Sequence, residues 1–277
     1  MRRRTAAAAA ALVLGTRTAV SAEERSATAD MTAARAALAP TGALRAAINF
    51  GNPVLAQRDP AGGVPRGVSA DLAREIARRL GVPVSYVTFD AAGRVTEADR
   101  SDPGNAWDVA FLAVDPGRAE GIAFTAPYVV IEGVYAVRDA SPIRANEEVD
   151  RAGVRVSVGR GSAYDLHLTR ALRSATLVRS GTSAGAIEDF ARDPTLDAVA
   201  GVGQPIRAFA AAAPGVRVLP GRFMVIEQAV ATPRGRDAAG LAFLRGVVED
   251  AKASGLVARG LAESGQRDAE VAPPATR

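Results

Sequence analysis

The chain is 277 residues long, 48% hydrophobic and 23% charged, enough apolar sequence for one large core or two ordinary ones and too much for an intrinsically disordered protein. The formal charge of +4 belongs to the first 22 residues, which hold Arg2, Arg3, Arg4 and Arg17 and no acid, so that without them 30 basic side chains meet 30 acidic ones. A neutral body with only 5% aromatic residues has no general attraction for phosphate backbones or anionic membranes and few rings on which to stack bases, so no nucleic-acid partner is expected.

Residues 1–22 show the three parts of a secretory signal: basic Arg2 to Arg4, an apolar run over 6–14, and a small-residue exit at Val20-Ser21-Ala22. Cleavage is expected near Ala22, because the apolar run falls well short of the ~20 residues of a spanning helix. There is no cysteine, which excludes disulfides, thiolate metal sites, thiol catalysis and a lipid anchor on a cysteine. The expected location is the periplasm. Residues 23–43 read as a polar, Ala-rich N-terminal extension, with a short helix over 31–38 that Pro40 and Gly42 end.

From Leu44 onward short apolar runs alternate with amphipathic stretches, the pattern of an α/β fold with mostly parallel sheets flanked by helices. A strand over 44–50, a Gly/Pro-rich loop, a helix capped by Ser69 and running to Leu80, and a strand over 84–89 form the first unit. A Gly/Asp-rich connection leads to a buried strand over 108–113, and a long apolar strand follows over 129–137. A second set comprises strands over 154–158, 176–178, 197–201 and 216–219 and helices over 162–173, 184–191 (behind a Ser183 cap) and 206–212. A strand over 224–231, helices over 238–253 and 256–263, and a tail over 264–277 expected to be disordered complete the chain. The natural arrangement is two lobes around a cleft.

Few residues carry obvious chemistry. His167 is the single histidine, and Ser162 and Asp165 beside it on one helix start lack the geometry of a nucleophile, base and orienter, since positions two apart on a helix diverge. No catalytic residue, metal site or cofactor is expected. Gly159-Arg160-Gly161-Ser162 follows a strand and opens a helix, where backbone N–H groups and the helix dipole favour an anion; an ordinary tight turn with a serine cap has the same signature. Arg118 follows the buried strand that ends at Ala113, at the carboxyl end where open α/β sheets bind ligands, and its fork suits a carboxylate.

Taken in order, several segments resemble the extracytoplasmic solute-binding proteins of family 3, which serve polar amino-acid ABC importers. They are Gly67-Val68-Ser69-Ala70-Asp71-Leu72-Ala73, Trp107-Asp108-Val109, Asp115-Pro116-Gly117-Arg118-Ala119, Phe124-Thr125-Ala126-Pro127-Tyr128 and Val158-Gly159-Arg160-Gly161-Ser162-Ala163, within a resemblance that spans 44–263. The resemblance implies a two-lobed periplasmic-binding-protein fold of type II, lobe 1 from 44–136 and 225–263 and lobe 2 from 137–224, with strands crossing between lobes near 134–137 and 228–231 and hinge closure on a ligand. It implies Arg118 as the anchor for a ligand carboxylate and the Gly161, Ser162 and Ala163 helix start as the second clamp, with Ala113, Phe50, Asn52, Phe111, Tyr164 and Gln204 as lining. Where the family carries a hydroxyl residue this sequence has Ala113 and Ala163, and the acid that would hold an α-ammonium falls at Val202. A buried ammonium without a carboxylate costs several kcal/mol, so the solute either lacks that amine or is held by another acid such as Asp115.

The expected function is that of a monomeric periplasmic protein delivering a small carboxylate-bearing or amino-acid-like solute to an inner-membrane ABC permease. Two alternatives share the scaffold: a periplasmic dehydratase-like enzyme, for which Asp115 is the one candidate acid, and the ligand-sensing subunit of a membrane receptor.

Overall fold

The computed structural model describes residues 22–266 and 268–276, so the expected secretory segment, apart from Ala22, lies outside the described residues. Helix α1 spans Ala22–Leu38 and is twice the expected length. Its buried residues, Ala34, Ala37 and Leu38, fall in the last two turns, and the exposed stretch over 26–30 carries no periodic signal.

Strand β1 (Leu44–Asn49), helix α2 (Val68–Leu80) and strand β2 (Val84–Phe89) form a parallel βαβ unit paired from Leu44–Val84 to Asn49–Phe89. Helix α2 buries Val68, Leu72, Ala73, Ile76 and Leu80 on one face. The expected Ser69 cap is corrected: the N-cap is Gly67 at φ 98°, and Ser69 is buried with its hydroxyl 3.1 Å from that of Tyr128. The connection after β2 contains helix α3 (Ala92–Ser101), which the sequence hides because Val95 is its single buried apolar residue besides alanine and glycine positions. Tertiary contact holds it in place, since buried Trp107 donates its indole N–H to the Val95 carbonyl at 3.1 Å.

Strand β3 (Val109–Ala113), fully buried, is followed by the single turn α4 (Pro116–Ala119) and by β4 (Ile122–Arg138). The second set is β5 (Arg155–Gly159), α5 (Ala163–Ala171), β6 (Thr176–Ser180), α6 (Ser183–Arg192), β7 (Ala198–Val202), α7 (Gly203–Ala212) and β8 (Val216–Val218). The α6 cap is Thr182, whose hydroxyl accepts the Gly185 N–H, and not Ser183. Strand β9 (Met224–Pro233), helices α8 (Ala238–Ala253) and α9 (Leu256–Glu263) and the two-residue β10 (Glu270–Val271) complete the chain.

The strand order is β2-β1-β3-β9-β4-β7-β5-β6, with β8 and β10 also pairing with β4. Pairs β1–β2, β1–β3, β5–β6 and β5–β7 are parallel, whereas β4 and β9 run antiparallel to each other and to their neighbours. These two long strands join a parallel half-sheet on each side into the two lobes. On β4 the exchange of partners falls at Gly133, which pairs with Met224 of β9 and with Val202 of β7. Residues 134–137 therefore already lie in the second lobe's sheet, and 228–231 pair with β3 in the first. The tail is also corrected: Glu270 and Val271 pair with Val130 and Val129, and buried Ala272 donates its N–H to the Tyr128 carbonyl. Three residues are too few to show strand periodicity; the free edge of β4 supplies the order.

Candidate functional site

The carboxyl ends of β1 and β3, the β9 crossing strand, the β5–α5 turn and the starts of α6 and α7 face one another across the lobes. They enclose a narrow throat of about 40 Å³ lined by Asn49, Asn52, Phe111, Ala113, Arg118, Ser162, Ala163, Tyr164, Ser183, Val202 and Gln228, among others. That volume admits a head group and little more. Gly51, Tyr164, Ser183 and Val202 also wall a wider chamber of about 360 Å³, whose remaining lining includes Phe50, Pro53, Ile187, Pro205 and Ile206.

Arg118 is the centre of the throat. Asp115 caps α4 by accepting the Gly117 and Arg118 N–H groups, which fixes the turn that turns the Arg118 side chain inward. The guanidinium donates to the Ala113 carbonyl at 2.9 Å and, across the cleft, to the Gly161 carbonyl at 2.8 Å, while its Nε is buried without a partner. Only 3% of the residue is exposed. Burial pushes its pKa down to about 10, opposed by Asp115 and reinforced by Arg100, so it stays charged at neutral pH. A buried cation with no carboxylate on it is costly, and a ligand carboxylate would offset that cost.

The second lobe contributes differently from expectation. Gly161 N–H is taken by Asp165 Oδ2 at 2.8 Å and the Ser162 N–H by the Gly159 carbonyl, so Gly161 contributes its carbonyl to Arg118 and no N–H to a ligand. Ser162 caps α5 by accepting the Asp165 N–H, which leaves its hydroxyl hydrogen to donate, and the N–H groups of Ala163 and Tyr164, in the first turn, have no intrahelical acceptor. Asp165, itself held by Arg179, fixes this turn.

Of the other expected lining residues, Asn52, Phe111, Ala113 and Tyr164 do meet in the throat; the Tyr164 hydroxyl donates to Ser183 Oγ at 2.7 Å. Phe50 lines the chamber instead, beneath the Arg58 guanidinium 4.2 Å from its ring centre. Gln204, in the first turn of α7, lines neither space. Asp115, the acid that the sequence offers for an amine, does not line the throat: its second oxygen accepts Arg170 at 2.6 Å. His167 lies outside as well, half-buried and 6.1 Å from the Phe223 ring.

Sequence reasoning missed Asn49, Ser183 and Gln228. Asn49 and Asn52 accept the Gly51 and Val54 N–H groups with their carbonyl oxygens, which turns their amide N–H groups free to donate. Gln228 is 5% exposed and pairs in register with Ala113; its one signal was a polar residue inside an apolar strand run. Among the described residues no carboxylate lines the throat, and the single acid at the chamber, Asp90, is paired with Arg58. The site is rich in donors and poor in acids.

A family model for bacterial extracellular solute-binding proteins, family 3, matches residues 44–262. The chain belongs to that family. No curated protein sequence matches it. A crystal structure of a mutant ArgBP from T. maritima superposes with a TM-score of 0.70 at 24% identity, over 84% of this chain and 100% of that one. Holo ArgBP from T. maritima gives 0.65 at 25% identity over 77% of this chain and 92% of its own. The ancestral amino acid-binding protein AncCDT-1, a precursor of cyclohexadienyl dehydratase, gives 0.67 at 20% identity over 81% and 96%. As a family 3 solute-binding protein, the chain has its cleft between two lobes, where the throat and chamber lie.

Proposed function

We propose that this family 3 protein binds a small carboxylate with an apolar body and no α-ammonium, and delivers it in the periplasm, as a monomer, to an inner-membrane ABC permease. The observation that carries the ligand class is the throat itself: a buried, incompletely paired Arg118 among neutral donors, with no acid in the lining and an apolar chamber behind it. The carboxylate meets Arg118, Ser162 and the first N–H groups of α5, while the body lies on Phe50, Ile187 and Ile206. A guanidinium tail of the kind that arginine carries would find Asp90 already bound to Arg58. A dehydratase would need a proton donor in the throat, and Asp115, the acid considered for that role, is held by Arg170 and the α4 cap.

The direct test is a thermal-shift screen of ligand-stripped protein against aliphatic, aromatic and amino-bearing carboxylates. A solute present at a hundredfold over its Kd should raise the midpoint by roughly 5 to 10 °C. A response confined to amines or to cationic amino acids would overturn the assignment.

Val202 offers a complementary test of why the amine is excluded. It sits at the N-cap of α7 without a side-chain cap bond and lines both spaces. Val202→Asp supplies a cap and places a carboxylate beside the throat, so it should bind the α-amino analogue of the parent's solute at least tenfold more tightly than the parent does. Equal calorimetric affinities in the two proteins would show that something other than the missing acid excludes the amine.

A further inference from the structure

Arg118 also walls a second space, on the side away from the chamber. This pocket, of about 550 Å³, lies in the seam between the lobes and is lined by Arg94, Glu97 and Arg100 of α3, by Asp115 and Arg118, and across the seam by Arg160, Gly161 and Arg170, among others. Five arginines face two carboxylates. Asp115 is already bound to Arg170, and Glu97 is exposed and makes no ion pair with a described residue. The side chains of Arg94, Arg100 and Arg160 are likewise exposed and have no hydrogen-bond or ion-pair partner among the described residues.

Two independent features show that this charge is concentrated and not merely a solvated face. Arg100 is near enough to Arg118 to disfavour its charged form, and the buried Arg118 Nε has no partner. The lobes also approach closely at this seam: a Cβ built on Gly93 would lie 2.9 Å from the Arg160 carbonyl oxygen and 3.1 Å from Gly161 Cα. The closed arrangement thus brings Arg94 and Arg100 on one lobe against Arg160 on the other, with Glu97 the one acid among the three that no arginine already holds. Like charges at such an interface oppose closure unless an anion sits among them.

We infer that the seam is a second binding site, for a multiply charged oxyanion such as phosphate or a polycarboxylate, which bridges Arg94 and Arg100 to Arg160 and favours the closed form. The site is separate from the cleft solute. Because binding free energies are reciprocal, an anion that favours closure also raises the affinity of the cleft, and a cleft solute raises affinity for the anion.

The experiment titrates the ligand-stripped protein by calorimetry with inorganic phosphate and, separately, with tricarballylate, each against chloride at matched ionic strength. It compares the parent with the combined variant Arg94→Ser, Arg100→Ser, Arg160→Ser. The parent should bind at least one of the two anions at least tenfold more tightly than the variant does, and its radius of gyration in solution scattering should fall on binding. Which anion binds names the source of the charge. No saturable binding by the parent, or equal binding by the variant, overturns the site. Removing unpaired surface charges should leave the fold intact, which an unchanged or higher midpoint in chloride verifies; if it does not, the single Arg100→Glu must show the same tenfold loss. Phosphate has no carboxylate to offer the cleft, and tricarballylate binding that survives in the triple variant belongs to the cleft, so a cleft that rejects every carboxylate does not alter how this result is read.

Discussion

Arg118→Met should weaken binding of the cleft solute by about 30-fold to several thousandfold, the equivalent of roughly 2 to 5 kcal/mol for removing the partner of a desolvated carboxylate. Methionine keeps the length and apolar stem of arginine, so Phe111 and Ala113 keep a neighbour of similar shape while the charge and the fork are lost. Arg118→Lys separates these two losses. Lysine retains the charge but cannot donate to the Ala113 and Gly161 carbonyls and to a carboxylate in one plane, so it should recover only part of the affinity. If Arg118→Met binds as tightly as the parent, the throat is not the carboxylate site.

Gly93→Ala should reduce solute affinity at least tenfold without lowering the stability of the unliganded protein. Gly93 lies in the first turn of α3 with no left-handed φ, so alanine suits its backbone and, as the better helix former, should stabilise the helix by about 1 kcal/mol. The added methyl nonetheless meets the Arg160 carbonyl oxygen and Gly161 Cα in the closed form, and those are backbone atoms of the turn that Asp165 and Arg118 hold. Closure then has to stop short, which separates Arg118 from Gly161 and opens the throat to water. A variant that melts at or above the parent's midpoint yet binds weakly is the expected pair of results; undiminished affinity would show that the lobes do not meet through these glycines when solute is bound. Gly161→Ala is a poorer probe, because Gly161 has φ +67° and the substitution adds backbone strain to the clash.

Both predictions turn on residues that differ in how far they could be read from sequence. Arg118 was legible: it follows a buried apolar strand, and Asp115-Pro116, directly before Gly117-Arg118, is a helix-start signature. Asn52, Phe111, Ala113, Ala163 and Tyr164 came from the family resemblance and not from spacing, and with Ser162, at its helix start, they line one space. Gly93 was not. It stands in a helix with almost no apolar periodicity, and its importance comes from the Arg160–Gly161 turn 67 positions away in sequence.

Composition and pattern by themselves determined the α/β class, the parallel units around the first and second sets of strands, the family resemblance that the match over 44–262 bears out, and the positions of α8 and α9. These are local properties: periodicity over a few turns, caps, and Gly or Pro at the breaks. Only the tertiary structure decided that β4 changes partners at Gly133, that β10 pairs with β4, that Gly161 gives Arg118 a carbonyl instead of a ligand an N–H, and that Asp115 belongs to Arg170. Each of these depends on which of two chemically equivalent partners lies closer in space. A sequence fixes which donors and acceptors exist, but long-range approach across the two lobes chooses which pairs form and which, like Arg118 Nε, are left for something else.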